Sequence, residues 1–428
     1  MPAVFTIVTV LIGIVPVLIL NDGAVVEAFI LAITAVAITL IAVNIRAVDL
    51  VRLGGLLGLS AVIAVLPGIW MVLQVLPISG LAHPIWTSAA AALDKTLVGA
   101  VSIDIGATLL AFARYCGIIA IAIVTTAVAL ERQRAKRIFL VLTGVAALVA
   151  GELILFKFGY LNVAGFELPA KLAAAQGICV LGLILSCASA ISAYEHDDRR
   201  RRNGESKVKT AGAITASTVV VVLCSTAIVL NADVVVLFSA VFGVGTMMAI
   251  WAIRQLRLRS WGISGIAAVA ILCATGLIVT NPSIKGADST LALSNQTQAS
   301  IAATARMLSD VRWTGIGAGC FSALLPVYRD IDDPSANGAP TSAALIALEL
   351  GRPALWVLVI LALVAALHFF RAALQRGRDY IYTAAGSGSI LAILILSFSN
   401  SGTVEPATSL LTSTIFGLAL AQSKSWSS

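Results

Sequence analysis

Runs of apolar residues long enough to cross a bilayer recur along this chain, at 4–20, 24–43, 53–74, 107–130, 138–156, 172–193, 211–230, 234–253, 261–279, 353–370, 381–398 and 406–421. A helix rises about 1.5 Å per residue, so roughly 20 apolar residues span a hydrocarbon core about 30 Å thick. Backbone polar groups inside lipid have to be satisfied within the segment, which makes each run a helix. The alternating segments of about ten residues that build an outer-membrane barrel are not visible. Only 11% of the 428 residues are charged, against about 25% in soluble domains. That excludes an ordinary globular protein, a disordered chain and, despite the net charge of +7, a nucleic-acid partner. The expected fold is an all-α polytopic membrane protein of about twelve transmembrane helices. The first run has no basic residue ahead of it and no small-residue cleavage site, so it is expected to be a span. The cysteines show no Cys-x-x-Cys pair or metal-ligand spacing, and no metal or cofactor is expected.

The segments between the runs sort by charge. Nineteen of the 28 Lys and Arg fall in 44–52, 131–137, 194–210, 254–260, 371–380 and 422–428. Basic residues concentrate in short cytoplasmic loops because they resist translocation, so both termini are expected to be cytoplasmic. The run from Arg199 to Arg202 reads as an anchor beside anionic headgroups. Two segments on the other side, 75–106 and 280–352, are too long to be turns, and loops beyond about 15 residues are usually functional. The chain therefore divides into 1–279, helices 1–9 with the outer loop 75–106; 280–352, a large outer loop with short helices between helices 9 and 10; and 353–428, helices 10–12.

Candidate residues follow from these loops. His83 is the one histidine expected outside. Arg114 sits within the fourth run, where a charge costs about 2.5–3.5 kcal/mol even on a lenient scale, so it marks an internal cavity or snorkels to the interface; Glu152 is its expected acidic partner. From Thr290 the chain reads as an amphipathic helix through Met307 and Leu308, followed by the alternating Gly315, Gly317 and Gly319. Such spacing allows an unusual backbone path or close approach of a ligand and is not a dinucleotide fingerprint. Tyr328, Arg329, Asp330, Asp332 and Asp333 follow, the acids without a calcium-loop pattern. Thr341 can cap a helix from Ser342 to Leu350 that carries Glu349, with Pro353 opening the next span. Arg306, Arg312, Arg329 and Arg114 together offer guanidinium groups, which bind phosphate through paired hydrogen bonds and stay charged.

Asp310 followed by Thr-Gly-Ile-Gly-Ala-Gly-Cys-Phe, Tyr328-Arg329, and Ala-Leu-Glu349-Leu-Gly351 leading into a span resemble the O-antigen ligase and O-antigen polymerase superfamily of bacterial inner-membrane glycosyltransferases. Leu-Ala-His-Pro-Ile-Trp86, Ser102-Ile-Asp104 and Arg114-Tyr115 extend the likeness. The resemblance implies a GT-C-like fold with a large periplasmic loop and a metal-independent transfer of glycan from undecaprenyl diphosphate to an acceptor glycan or glycolipid, in O-antigen or exopolysaccharide biosynthesis. It further implies arginines on the diphosphate (Arg114, Arg329, with Gly315, Gly317, Gly319 and Tyr328) and catalytic roles for Arg306, Arg312, Glu349 and His83, in contact with membrane lipid and other polysaccharide-assembly proteins. Two positions depart from the family pattern. Pro340 stands where ligases carry a histidine, which favours the polymerase type, and Ser294-Asn295-Gln296 stand where many members have an arginine, a cation that Arg306 or Arg312 would replace. A twelve-helix secondary transporter or flippase, or a member that has lost catalysis, stays open on sequence alone.

Overall fold

The structure is a computed structural model. It describes all residues except Met1, 21–22, 79, 161–167, 203–207, 232, 257–287, 295, 331–337, 378 and 425–428, and leaves aside the side chains at 24, 59, 168–170, 196–202, 208–211 and 213. Among the described residues it is all helical. Helices α1 to α10 are Pro2–Gly13, Val15–Leu20, Ala24–Asn44, Ala47–Val75, Ile85–Leu93, Ile105–Ala129, Arg132–Lys157, Leu168–Arg202, Val208–Leu230 and Val234–Gln255. Helices α11 to α16 are Gln298–Asp310, Phe321–Tyr328, Ser342–Glu349, Arg352–Gln375, Tyr380–Ser397 and Pro406–Ala421.

Eight segments are long and apolar enough to cross a membrane, α1 and α2 counting together as one, so this is a multi-pass membrane protein. Helix α4 meets the same test only as a bent pair, Ala47–Gly58 and Ser60–Val75, inclined at 68°. The break falls between a glycine and a serine, where the helical ladder is weakest. Ile214–Leu230 and α16 are apolar but shorter. Every expected run among the described residues is helical; the run at 261–279 lies outside them.

The bundle is held by close approach of backbones, as association in lipid requires. Helix α8 is its central element, 72% of its apolar window being buried. At the α10–α15 crossing a Cβ on Gly388 would stand 2.5 Å from the Gly243 carbonyl oxygen, and at the α6–α16 crossing one on Gly417 would stand 2.4 Å from that of Ala122.

The two ends of the bundle differ in kind. At one end the basic segments converge. Arg254 donates to the carbonyls of Ala373, Arg376 and Gly377 and lies 4.0 Å over the Tyr380 ring. Tyr380 donates to Glu195, Arg132 pairs with Asp379 at 2.8 Å, Gln422 bonds Ala129 O at 2.7 Å, and Lys424 bonds Gly55 O at 2.6 Å. At the other end the two long segments meet. There α11, α12 and α13 pack into a small core of their own around Met307, Leu308, Phe321, Leu325, Ala344 and Leu348. Thr297, not Thr290, starts α11: its hydroxyl accepts from Ser300 N at 3.3 Å, while Asp288 holds Thr290 in a preceding turn. Leu291 still joins that core from the turn. Thr341 caps α13 by accepting from Ala344 N at 3.0 Å, and Pro353 sits in the first turn of α14.

Candidate functional site

The glycine segment is the joint of the loop end. Gly315, Gly317 and Gly319 have φ of 79°, 105° and 76°, values open to glycine and strained for other residues. Ile316 N bonds Leu348 O at 2.9 Å, Gly317 N bonds Glu349 O at 3.1 Å, and Ile103 N bonds Ile316 O at 3.0 Å. The segment is thus clamped between the 99–104 stretch and the α13–α14 junction. A Cβ on Gly315 would fall 2.3 Å from Glu349 O, and one on Gly317 2.6 Å from Ser102 Oγ. Close packing of one backbone on another sets the alternation.

Gln74 binds all three chain segments of this joint. It is fully buried; its Nε2 donates to Glu349 O at 2.9 Å and Thr314 O at 3.2 Å, its Oε1 accepts from Ala318 N at 3.2 Å, and its own carbonyl accepts from Ser102 N at 3.0 Å. Gln74→Leu keeps the shape but leaves Thr314 O and Ala318 N without their partner. At about 1–3 kcal/mol per unsatisfied buried group, a loss of about 2–6 kcal/mol is expected, read as a fall in detergent melting temperature.

Glu349 closes the same joint through its carboxylate, which accepts from Phe321 N at 3.2 Å at the start of α12. Burial pushes this carboxyl up to about 7, against the opposing pull of the Gly319 and Phe321 N–H groups. A carboxyl raised from 4.5 to about 7 in the folded protein binds its proton more tightly there than when unfolded. Its contribution to stability is therefore intact below pH 4.5 and declines as pH rises towards 7. Glu349→Gln, which keeps the acceptor oxygen, is expected to raise the melting temperature at pH 8 and to leave it nearly unchanged at pH 4.5. A variant equally or less stable at pH 8 would contradict this assignment.

Of the expected arginines, the structure brings Arg312 to an open cleft of about 410 Å³ at the loop end of the bundle, beside the first turn of α14. Leu308, Ser309, Val311, Trp313, Ala347 and Pro353 share its lining with Arg312 and with Arg352, a residue that no sequence motif singles out. Arg352 pairs with Asp288 at 2.7 Å and donates to Leu308 O at 3.3 Å. It also opens α14, whose cap residue Gly351 supplies no side-chain bond, so the helix N-terminus adds partial positive charge to the two guanidinium groups.

His83 stands beside this cleft. Arg312 Nη1 reaches Ala82 O at 3.4 Å, and His83 N bonds Ala100 O at 2.8 Å. His83 Nδ1 accepts from Ile85 N at 3.3 Å, so the neutral ring carries its proton on Nε2. Burial first, and then the Arg312 charge, lower His83 below its usual 6.5. In this state the ring offers a hydrogen-bond donor.

The other expected residues are placed elsewhere. Arg306 makes a two-pronged bond to exposed Asp330, at 3.0 and 2.8 Å. Tyr328 donates to Asp310 at 3.1 Å, and Arg329 is exposed at the end of α12. Asp332 and Asp333 lie outside the described residues. Arg114 pairs with Glu27 of α3, which replaces the expected pairing with Glu152; one Glu152 carboxyl oxygen is instead buried without a partner. Among the described residues no His, Cys, Asp and Glu group is arranged to hold a metal ion.

Compared with protein-family models, curated proteins and solved structures, the chain matches none.

Proposed function

We propose that this multi-pass protein is a glycosyltransferase of the bacterial inner membrane, of the polymerase or ligase type, that transfers glycan from an undecaprenyl-diphosphate donor at the periplasmic face. The observation that carries the reading is the cleft where Arg312, Arg352 and the start of α14 converge. Helix α14 is long and apolar enough to cross a membrane, so a lipid diphosphate bound at its start would keep its tail in the bilayer. Twelve spans with both termini cytoplasmic fit the charge sorting, with the basic segments gathered at one end of the bundle and the long loops at the other.

In this reading the acceptor hydroxyl attacks the anomeric carbon and the bond from that carbon to the diphosphate oxygen breaks. The departing diphosphate gains negative charge, which Arg312, Arg352 and the helix N-terminus stabilise more strongly in the transition state than in the bound donor. His83 adds a neutral donor. In this reading the hydroxyl proton passes to Asp310, which adjoins the cleft residues Ser309 and Val311 in the chain and accepts from Tyr328 at 3.1 Å and Ser309 at 3.3 Å. Holding lipid donor and acceptor glycan or glycolipid together supplies orientation.

The resemblance of the 310–329 and 347–351 segments to the O-antigen polymerase and ligase superfamily supports the same reaction class. In cells lacking the native gene, Arg312→Ala and Arg352→Ala copies are expected to leave surface polysaccharide short or absent on gels. Full-length polysaccharide from both would remove the reading.

A further inference from the structure

One wall of the cleft is not accounted for by binding a diphosphate. Trp313 lines it, and the residue is 61% exposed. Trp70 stacks behind it, with 6.5 Å between ring centroids and 29° between planes, and Trp70 is itself fixed by a 2.8 Å bond from Nε1 to Leu350 O. The Trp313 backbone packs directly against that of Gly351, close enough that a Cβ there would meet Trp313 O at 2.0 Å. A large apolar ring is thus held rigidly in the open, on the same wall as a guanidinium group.

Tryptophan at a membrane interface ordinarily serves as an anchor. An anchor needs neither an aromatic backing nor a place in a cationic cleft. A flat, rigid face beside paired arginines instead matches a ligand that is anionic at one end and carries a ring with one apolar face at the other. A pyranose joined to a diphosphate has that form: C–H groups occupy one face of its ring and hydroxyls its edge. Stacking on an aromatic face also costs little ordering when the face is already fixed.

We propose that Trp313, backed by Trp70, is the platform for the diphosphate-linked sugar and positions its anomeric carbon. This rests on the reading of Arg312 and Arg352 as the diphosphate site. Trp313 is accordingly a positioning residue, and its loss is expected to affect sugar-bearing ligands alone.

The test uses the full-length protein in nanodiscs with two probes, undecaprenyl diphosphate and undecaprenyl-diphosphate-linked N-acetylglucosamine. Trp313→Ala is expected to weaken the sugar-bearing probe about tenfold and the sugar-free probe by less than about twofold. Trp313→Phe, which keeps an aromatic face and guards against misfolding of the alanine variant, is expected to recover most of the difference. Equal loss on both probes, or no loss on either, overturns the platform. Arg312→Ala is the separate control: if it leaves both probes unchanged the diphosphate reading fails, whereas a sugar-selective loss in Trp313→Ala would still place the sugar on this ring.

Discussion

Gly351→Ala is expected to abolish recovery of folded protein from detergent extracts. Gly351 has φ 94° and ψ 153°, a region essentially reserved for glycine. A Cβ there would lie 2.0 Å from Trp313 O and 2.9 Å from Trp313 C, both backbone atoms. Neither side can retreat: Ile316 N and Gly317 N are bonded to the carbonyls of Leu348 and Glu349, and Trp70 holds Leu350 O. Backbone strain alone costs about 1–3 kcal/mol, and the clash takes the total beyond about 4 kcal/mol, a large part of the roughly 5–15 kcal/mol that keeps a protein folded. Gly144→Ala, in the middle of α7 with nothing within 4 Å of the new methyl group, is the matched control. It is expected to be neutral or slightly stabilising. Similar melting temperatures for the two variants would show that the joint is looser than described.

Arg312→Ala and Arg352→Ala are each expected to lower glycan transfer by about 10²–10³, the usual effect of removing one preorganised donor to a developing anion. Lysine at either position restores the charge but not the two-pronged geometry, so partial recovery is expected. Arg306→Ala serves as contrast. Its guanidinium is already matched to Asp330 in solvent, both side chains being about half exposed at 46% and 58%, and its loss is expected to change transfer by less than about threefold. Arg352 has a structural tie to Asp288 as well. That pair is largely exposed on the arginine side, at 55%, so melting temperature should move little while transfer falls. Transfer that tracks melting temperature across the variants would instead make both arginines structural.

That the chain is helical and crosses a membrane several times was legible in the sequence, because lipid leaves an apolar run few choices but to be helical. The Thr341 cap, Pro353 in the first turn of α14 and the unusual backbone at Gly315, Gly317 and Gly319 were also readable, since each is a local rule. What depended on distant partners was not. Gln74 reads as the last polar residue of an apolar run, yet its partners lie 240 and 275 positions away. Arg114 found Glu27, 87 positions away, where neighbouring spans had suggested Glu152. Arg352 was not singled out, because nothing local distinguishes an arginine that opens a span from one that lines a cleft. Thr290 lost the start of α11 to Thr297 because Asp288 had already committed it to a turn.

The central claim is that the cleft between Arg312 and Arg352 carries glycan transfer. Its most direct test is the purified, reconstituted protein incubated with undecaprenyl-diphosphate-linked oligosaccharide. Longer lipid-linked glycans, or glycan moved to a second acceptor, lost on replacing either arginine, are the predicted result. Intact donor at the end of the incubation, together with uptake of a labelled solute into the same vesicles, would contradict it.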